Sequence, residues 1–188
     1  CLDLDKILPK KNIMCSRSFG NPVNSKITIK DFITEYSIRA AEKARQQNSR
    51  AQGIYIFLQT NRFKKEKQYN NGIMIGLNFP CCDTSIIIKL ALKAVDQIFQ
   101  PGYSYHKAGI MMLDLIPSNI HQKDLFQNTT YSLSDQRMKV IDSLNKKFGS
   151  GIIAHGKVRS KDKKKWKSRS FYLSRRYTTQ WDELPHVN

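Results

Sequence analysis

Between Asn12 and Ile116 the spacing of apolar residues alternates between two periods, and the order of the changes restricts the fold more than any other feature of the chain. A period near two marks a strand with one buried face, and a period near 3.6 marks an amphipathic helix. "NIMCSRSFG" (Asn12 to Gly20) reads as a short strand closed by a Gly-Asn-Pro turn. From Thr28 to about Gln47, Ile29, Phe32, Ile33, Tyr36 and Ala40 recur at helical spacing, with Thr28 and Asp31 expected to form the N-terminal cap pair. "GIYIFLQT" (Gly53 to Thr60) is a strand by its β-branched and aromatic content. "IMIGLNF" (Ile73 to Phe79) is a second strand by alternation. Asp83 or Thr84 is then expected to cap a helix bearing Ile87, Leu90, Ala91, Ala94 and Ile98, stopped at Pro101-Gly102. "YHKAGIMMLDLI" (Tyr105 to Ile116) closes the series as a strand apolar enough to lie inside a sheet.

The order β-α-β-β-α-β predicts an α+β domain over residues 12–116, a split arrangement with two helices on one face of a four-stranded sheet. Its other face is left open. Residues 1–11, "CLDLDKILPKK", read as a linker remnant, so the chain is expected to be a piece of something longer. Residues 117–132 form a polar, turn-like connector without either period. A small α/β unit is expected over residues 133–188: Met138, Ile141 and Leu144 share a helical stripe, with Ser134 as N-cap and Gly149 as stop. "GIIAHGKV" (Gly151 to Val158) reads as its strand, and a basic run from Arg159 to Arg169 follows.

Charge narrows the partner. The 188 residues hold 32 Lys and Arg against 15 Asp and Glu, a formal +17, while 40% apolar content is enough for a core. Such a surplus points to a polyanion, nucleic acid before membrane, and exceeds what solubility requires. No apolar run is long enough to span a bilayer and no signal-peptide pattern is present. Cys1, Cys15, Cys81 and Cys82 fit no zinc spacing and read as reduced thiols, which gives a cytoplasmic expectation.

Little in the chain suggests catalysis. Asp3 and Asp5 lie in a terminal stretch without a third ligand, Asp114 is isolated, and His106, His121, His155 and His186 are scattered. Neither G-x-x-x-x-G-K-[ST] nor G-x-G-x-x-G occurs. Phosphate contacts are better supported. Ser16, Arg17 and Ser18 share one strand, Thr60, Asn61, Arg62, Lys64 and Lys65 lie at a strand-to-strand loop, and Lys107 is on the last strand. Hydroxyls and cations of this kind position a phosphate backbone without reading sequence. In the connector, "QKDLF" (Gln122, Lys123, Asp124, Leu125, Phe126) sets an apolar pair in a polar segment, suited to a partner with a small apolar pocket.

"CSRSFG", "RAAEKARQ", "DQIFQPGYSYHKAGIMMLDLIP", "DLF" after a Gln, and "YTTQWDELP" occur in this order along nearly the whole chain. Together they resemble the C-terminal half of UmuC-type subunits of DNA polymerase V, Y-family translesion polymerases of the SOS damage response. The resemblance implies that residues 12–116 are a little finger domain gripping primer-template DNA. It implies that Gln122 to Phe126 bind the β sliding clamp, with Lys123 standing where that motif usually has Leu. It also implies that the remainder meets a UmuD-type accessory dimer and the RecA filament, with Trp166, Arg169, Tyr177 and Trp181 as candidate contacts. Asn61 and Arg62 stand where relatives tend to have Ser-Pro, Arg175 where Pro is expected, and Ser168 where Met is common. The palm and fingers that bind Mg²⁺ fall outside this sequence, so no cofactor and no polymerase activity are expected of it. Two other readings compete: a free-standing RNA-associated basic protein, and a phosphoryl-transfer enzyme using Asp3, Asp5 or Asp114.

Overall fold

The computed structural model describes residues 9–119, 130–149, 151–153, 174–176 and 180–184. Its elements run β1 (Ile13–Val23), α1 (Lys26–Gln46), β2 (Ser49–Thr60), β3 (Asn70–Cys81), α2 (Thr84–Ile98), β4 (Tyr105–Leu113), the two-residue β5 (Ile116–Pro117), α3 (Thr130–Phe148) and a 3-10 turn at Trp181–Glu183.

The expected α+β order holds. The sheet is β1-β4-β2-β3 with every neighbouring pair antiparallel. It follows that β1 and β2 run parallel on either side of β4, and β3 and β4 on either side of β2. Each helix therefore bridges a split parallel pair, and both helices cover one face. The core lies between them: Ile29, Phe32, Ile33, Ala40 and Ala44 of α1, and Ile87, Ala91, Ala94 and Val95 of α2, meet Ile54, Ile56, Leu58, Ile110 and Met112 from the central strands. β4 is central, as its apolar run requires.

Local boundaries follow capping chemistry, with two departures from expectation. Asp83 caps α2, its Oδ1 accepting from the backbone N–H of Ser85 at 2.7 Å and of Ile86 at 3.3 Å. Helix α1 is capped at Ser25 rather than Thr28. Nothing between Ser25 and Thr28 prevents helical backbone, so the helix extends back until the end of β1 stops it. β4 ends at Leu113 rather than running to Ile116, because Asp114 adopts a left-handed φ of 50°. The chain then re-pairs, as β5, with the start of β2 at Ser49 and Arg50.

Helix α3 begins three residues before Leu133, so Ser134 is inside the helix and is not its cap. Buried, it donates its hydroxyl to the second oxygen of the capping carboxylate, Asp83 Oδ2. Arg45 of α1 clasps Asp142 through Nε at 2.6 Å and Nη2 at 2.8 Å, while its Nη1 donates to the Cys82 carbonyl at 2.8 Å and the Thr84 hydroxyl at 2.9 Å. Arg50 of β2 pairs with Asp135. Met138 supplies the one deeply buried apolar side chain of α3 among the described residues. Polar clasps thus attach α3 to the sheet domain. Gly149 stops the helix at a φ of 111°, as expected. Residues 151–153 form a turn instead of opening a strand, and 154–158 lie outside the described residues.

Candidate nucleic-acid interface

Alternation along the strands decides which side chains face away from the helices. On β2, Ile54, Ile56 and Leu58 point into the core, leaving Gly53, Tyr55, Phe57 and Gln59 for the open face. The register extends these into rows crossing all four strands. Ser18, Lys107, Gln59 and Asn70 form one row; Ser16, Gly109, Phe57 and Gly72 the next; Met14, Met111, Tyr55 and Met74 a third. The face is therefore banded, with rows spaced roughly 7 Å apart across a sheet roughly 15 Å wide.

The bands differ in chemistry. In the middle row Gly109 is required by packing, since a Cβ there would sit 2.5 Å from Ser16 Cβ and 2.7 Å from the Phe57 ring. At Gly72 it would meet the Tyr55 ring at 2.5 Å. The Tyr55 and Phe57 rings thus lie against glycines and stack on each other, centroids 6.0 Å apart and planes 25° from parallel; Phe57 is buried, and the Lys107 ammonium stands 6.0 Å from its centroid. In the third row Met14 and Met74 are 51% and 69% exposed, an apolar strip beside the rings.

The polar row adjoins the loop between β2 and β3, where Arg62, Lys64, Lys65 and Lys67 are all exposed. Lys64 lies 3.5 Å from Glu66. Arg62, Lys65, Lys67 and Lys107 have no carboxylate partner among the described residues. By contrast, Lys26 and Lys30 share Asp96, Arg39 meets Glu35, and Arg45 and Arg50 meet Asp142 and Asp135. Exposed Lys43, Lys89 and Lys93 on the helices likewise have no carboxylate partner among the described residues; what distinguishes the hairpin is density, with Arg62, Lys64, Lys65 and Lys67 close together against Glu66 alone.

The structure divides the sequence-derived contacts. Ser16, Ser18 and Lys107 share the open face, and Asn61, Arg62, Lys64 and Lys65 follow at its end. Arg17 sits opposite Ala108 and by alternation on the helix-covered side, although it is exposed at the edge strand. Thr60 is buried, and its hydroxyl is held by Gln68 and Tyr69. Gln122 to Phe126, Trp166, Arg169 and Tyr177 lie outside the described residues, while Trp181 is 86% exposed. Tyr55, Phe57 and the methionines were not singled out from sequence, though the alternation Tyr55-Phe57-Gln59 against Ile54-Ile56-Leu58 carries the signal. Cys15, Cys81 and Cys82 are free and buried. Burial pushes the Cys81 thiol up to about 12 and that of Cys82 to about 11, so neither is a nucleophile near neutrality. Among the described residues no group of three His, Cys, Asp or Glu could hold a metal ion, and no helix is long and apolar enough to cross a membrane.

Residues 10–125 match the impB/mucB/samB family C-terminal domain, which accounts for the whole β-α-β-β-α-β unit and the connector as far as Leu125. The chain belongs to the impB/mucB/samB family. A second match covers residues 136–187, a domain of unknown function, DUF4113. Family members similar along the chain include the UmuC protein of Salmonella typhimurium, 35% identical over 100% of this chain and 44% of its own length. The ImpB protein of Salmonella typhimurium is 33% identical over 98% of this chain and 44% of its own, and the MucB protein of Escherichia coli 30% over the same shares. The chain thus spans less than half the length of the family members it matches. A solved chain from an insertion ternary complex of Dbh DNA polymerase overlaps 56% of this chain at a TM-score of 0.41 and 11% identity, too slight a likeness to argue from.

Proposed function

We propose that this chain is the DNA-gripping and clamp-tethering portion of an error-prone Y-family translesion polymerase acting in the SOS response. The observation that carries the reading is the banded open face, ending in a basic hairpin whose Arg62, Lys65 and Lys67 have no carboxylate partner among the described residues. The match to the impB/mucB/samB C-terminal domain supports it. In this reading Ser16, Ser18, Lys107 and the hairpin cations hold the phosphates of primer-template DNA without reading its sequence. Gln122 to Phe126 tether the parent to the β sliding clamp, raising its local concentration at the primer end. The segment from α3 onward meets a UmuD-type accessory dimer and the RecA filament through Trp166, Arg169, Tyr177 and Trp181. In this reading nucleotidyl transfer, and the Mg²⁺ it would use, belong to parts of the parent outside this chain. The setting is cytoplasmic, on the nucleoid.

Two titrations test this. Duplex binding should fall steeply between low and physiological salt, and Lys64→Ala/Lys65→Ala should reduce the log–log salt slope by about two, near 0.9 for each phosphate that a lysine had neutralised. Affinity indifferent to salt refutes the phosphate grip. Calorimetry against the clamp should show binding that Leu125→Ala/Phe126→Ala abolishes; a double variant that binds as well as the parent chain refutes the tether.

A further inference from the structure

The β2–β3 hairpin carries at its apex a side chain that neither the fold nor a phosphate contact explains. Phe63 is 98% exposed, the most exposed of the described large apolar residues, and is flanked by Arg62, Lys64 and Lys65. The loop beneath it is braced. Asn61 Oδ1 accepts from the Phe63 N–H at 3.0 Å, and its carbonyl accepts from Lys64 N–H at 3.4 Å. The Gln68 side-chain amide lies within hydrogen-bond reach of the carbonyls of Asn61, Lys64 and Glu66, at 3.0, 2.7 and 3.2 Å. Below that, Thr60 and Tyr69 exchange backbone and hydroxyl contacts, and Tyr69 is anchored by its hydroxyl to the Ile98 carbonyl at the end of α2. An aromatic ring held out in water on a braced stem, inside a ring of cations, is the arrangement that stacks on a nucleobase while the cations hold the flanking phosphates.

We propose that Phe63 stacks on an unpaired base, so that the hairpin recognises the junction between single- and double-stranded DNA. The proposal deepens the DNA-gripping reading and rests on it. Magnitudes select the junction over the duplex. One base stacked on an aromatic side chain is worth about fivefold to a hundredfold in affinity. Opening a paired step inside a duplex costs on the order of a hundredfold. Inside a duplex the exchange therefore gains nothing. At a gap, an overhang or a primer end, where the base is already unstacked, the gain is kept.

The test measures binding of the chain to a blunt duplex and to the same duplex with a short single-stranded gap, with 2-aminopurine as the first unpaired base. Phe63 is solvent-exposed, so substitution leaves the fold intact. The expected result is tighter binding to the gapped duplex and quenched 2-aminopurine fluorescence. Phe63→Leu should lose the quench and fivefold or more of the gapped affinity while leaving blunt-duplex affinity unchanged, and Phe63→Trp should restore both. Equal affinity for the two duplexes without a quench overturns the proposal and leaves the DNA grip standing. A Phe63→Leu variant that still quenches also overturns it. Binding to neither duplex overturns both readings.

Discussion

Replacing Asp142 by Ala should free α3 from the sheet domain without unfolding that domain. Asp142 receives two charge-assisted hydrogen bonds from Arg45, whose side chain is 10% exposed, against 28% for Asp142. Exposed pairs are worth about 0–1 kcal/mol, and breaking a fully buried one costs about 3–5 kcal/mol. Arg45 keeps the Cys82 carbonyl and Thr84 hydroxyl as acceptors, which limits the damage, so a loss of about 1.5–3 kcal/mol is expected. That corresponds to roughly a 10- to 150-fold shift toward the undocked helix. The substitution also raises intrinsic helix propensity, by about half a kcal/mol, since Ala is the better helix former. Lost protection can therefore not be blamed on a weaker helix. Amide hydrogen exchange is the assay: α3 amides from Asp135 to Lys147 should exchange 10-fold or more faster, while β2 and β4 amides keep their rates. Unchanged α3 exchange would mean that Met138 and the remaining pairs hold the helix without the clasp. An equal acceleration in the sheet would mean that α3 belongs to the same cooperative unit. Either result refutes the reasoning.

Two further outcomes are expected. Gly109→Ala places a Cβ 2.7 Å from the Phe57 ring and 2.5 Å from Ser16 Cβ; it should cost about 1–3 kcal/mol by thermal melting and weaken DNA binding by lifting the ring from the face. Normal stability would show that the ring has room to move. Cys81 and Cys82 should resist thiol reagents at neutral pH until the chain unfolds, because burial raises both folded values from 9.0, to about 12 and about 11. With folded values above the unfolded one, this contribution is fully present below pH 9 and is lost as pH rises toward 11. Melting temperature should therefore fall more between pH 8 and 10 in the parent chain than in Cys81→Ala/Cys82→Ala, and parallel pH profiles would refute the linkage.

Where a residue's role is set by its near neighbours in sequence, the chain could be read. Ile29, Phe32, Ile33, Tyr36 and Ala40 gave α1 its buried stripe, and Asp83 gave α2 its cap, because period and capping act over four residues or fewer. Thr28 and Ser134 misled for the opposite reason: a capping residue type is necessary for a side-chain cap, but whether the helix starts there depends on what stops it upstream. The attachment of α3 was not legible. Arg45 and Asp142 are 97 residues apart, Arg50 and Asp135 are 85 apart, and each reads locally as one more surface charge.

The open face lies between these cases. Its two-residue alternation is local and visible, but its banding depends on the register of three strand pairings at once. Only that register sets Met14, Met111, Tyr55 and Met74 in one row and Ser18, Lys107, Gln59 and Asn70 in another. The same register bears on where part of the +17 is presented. Net charge alone says that a polyanion is attracted; it does not say where. On the helix side, Lys26, Lys30, Arg39 and Arg45 are answered by the protein's own carboxylates, while Lys43, Lys89 and Lys93 stand apart from one another without one among the described residues. At the hairpin, Arg62, Lys65 and Lys67, with Lys107 on the strand beside them, are left without one among the described residues. Cations already paired contribute little field, so a dense group of unpaired ones is where the described domain offers a polyanion a seat. At the hairpin a polar row and an exposed Phe63 adjoin that group, and a nucleic acid drawn there by charge would arrive against surfaces able to hold both its phosphates and a base.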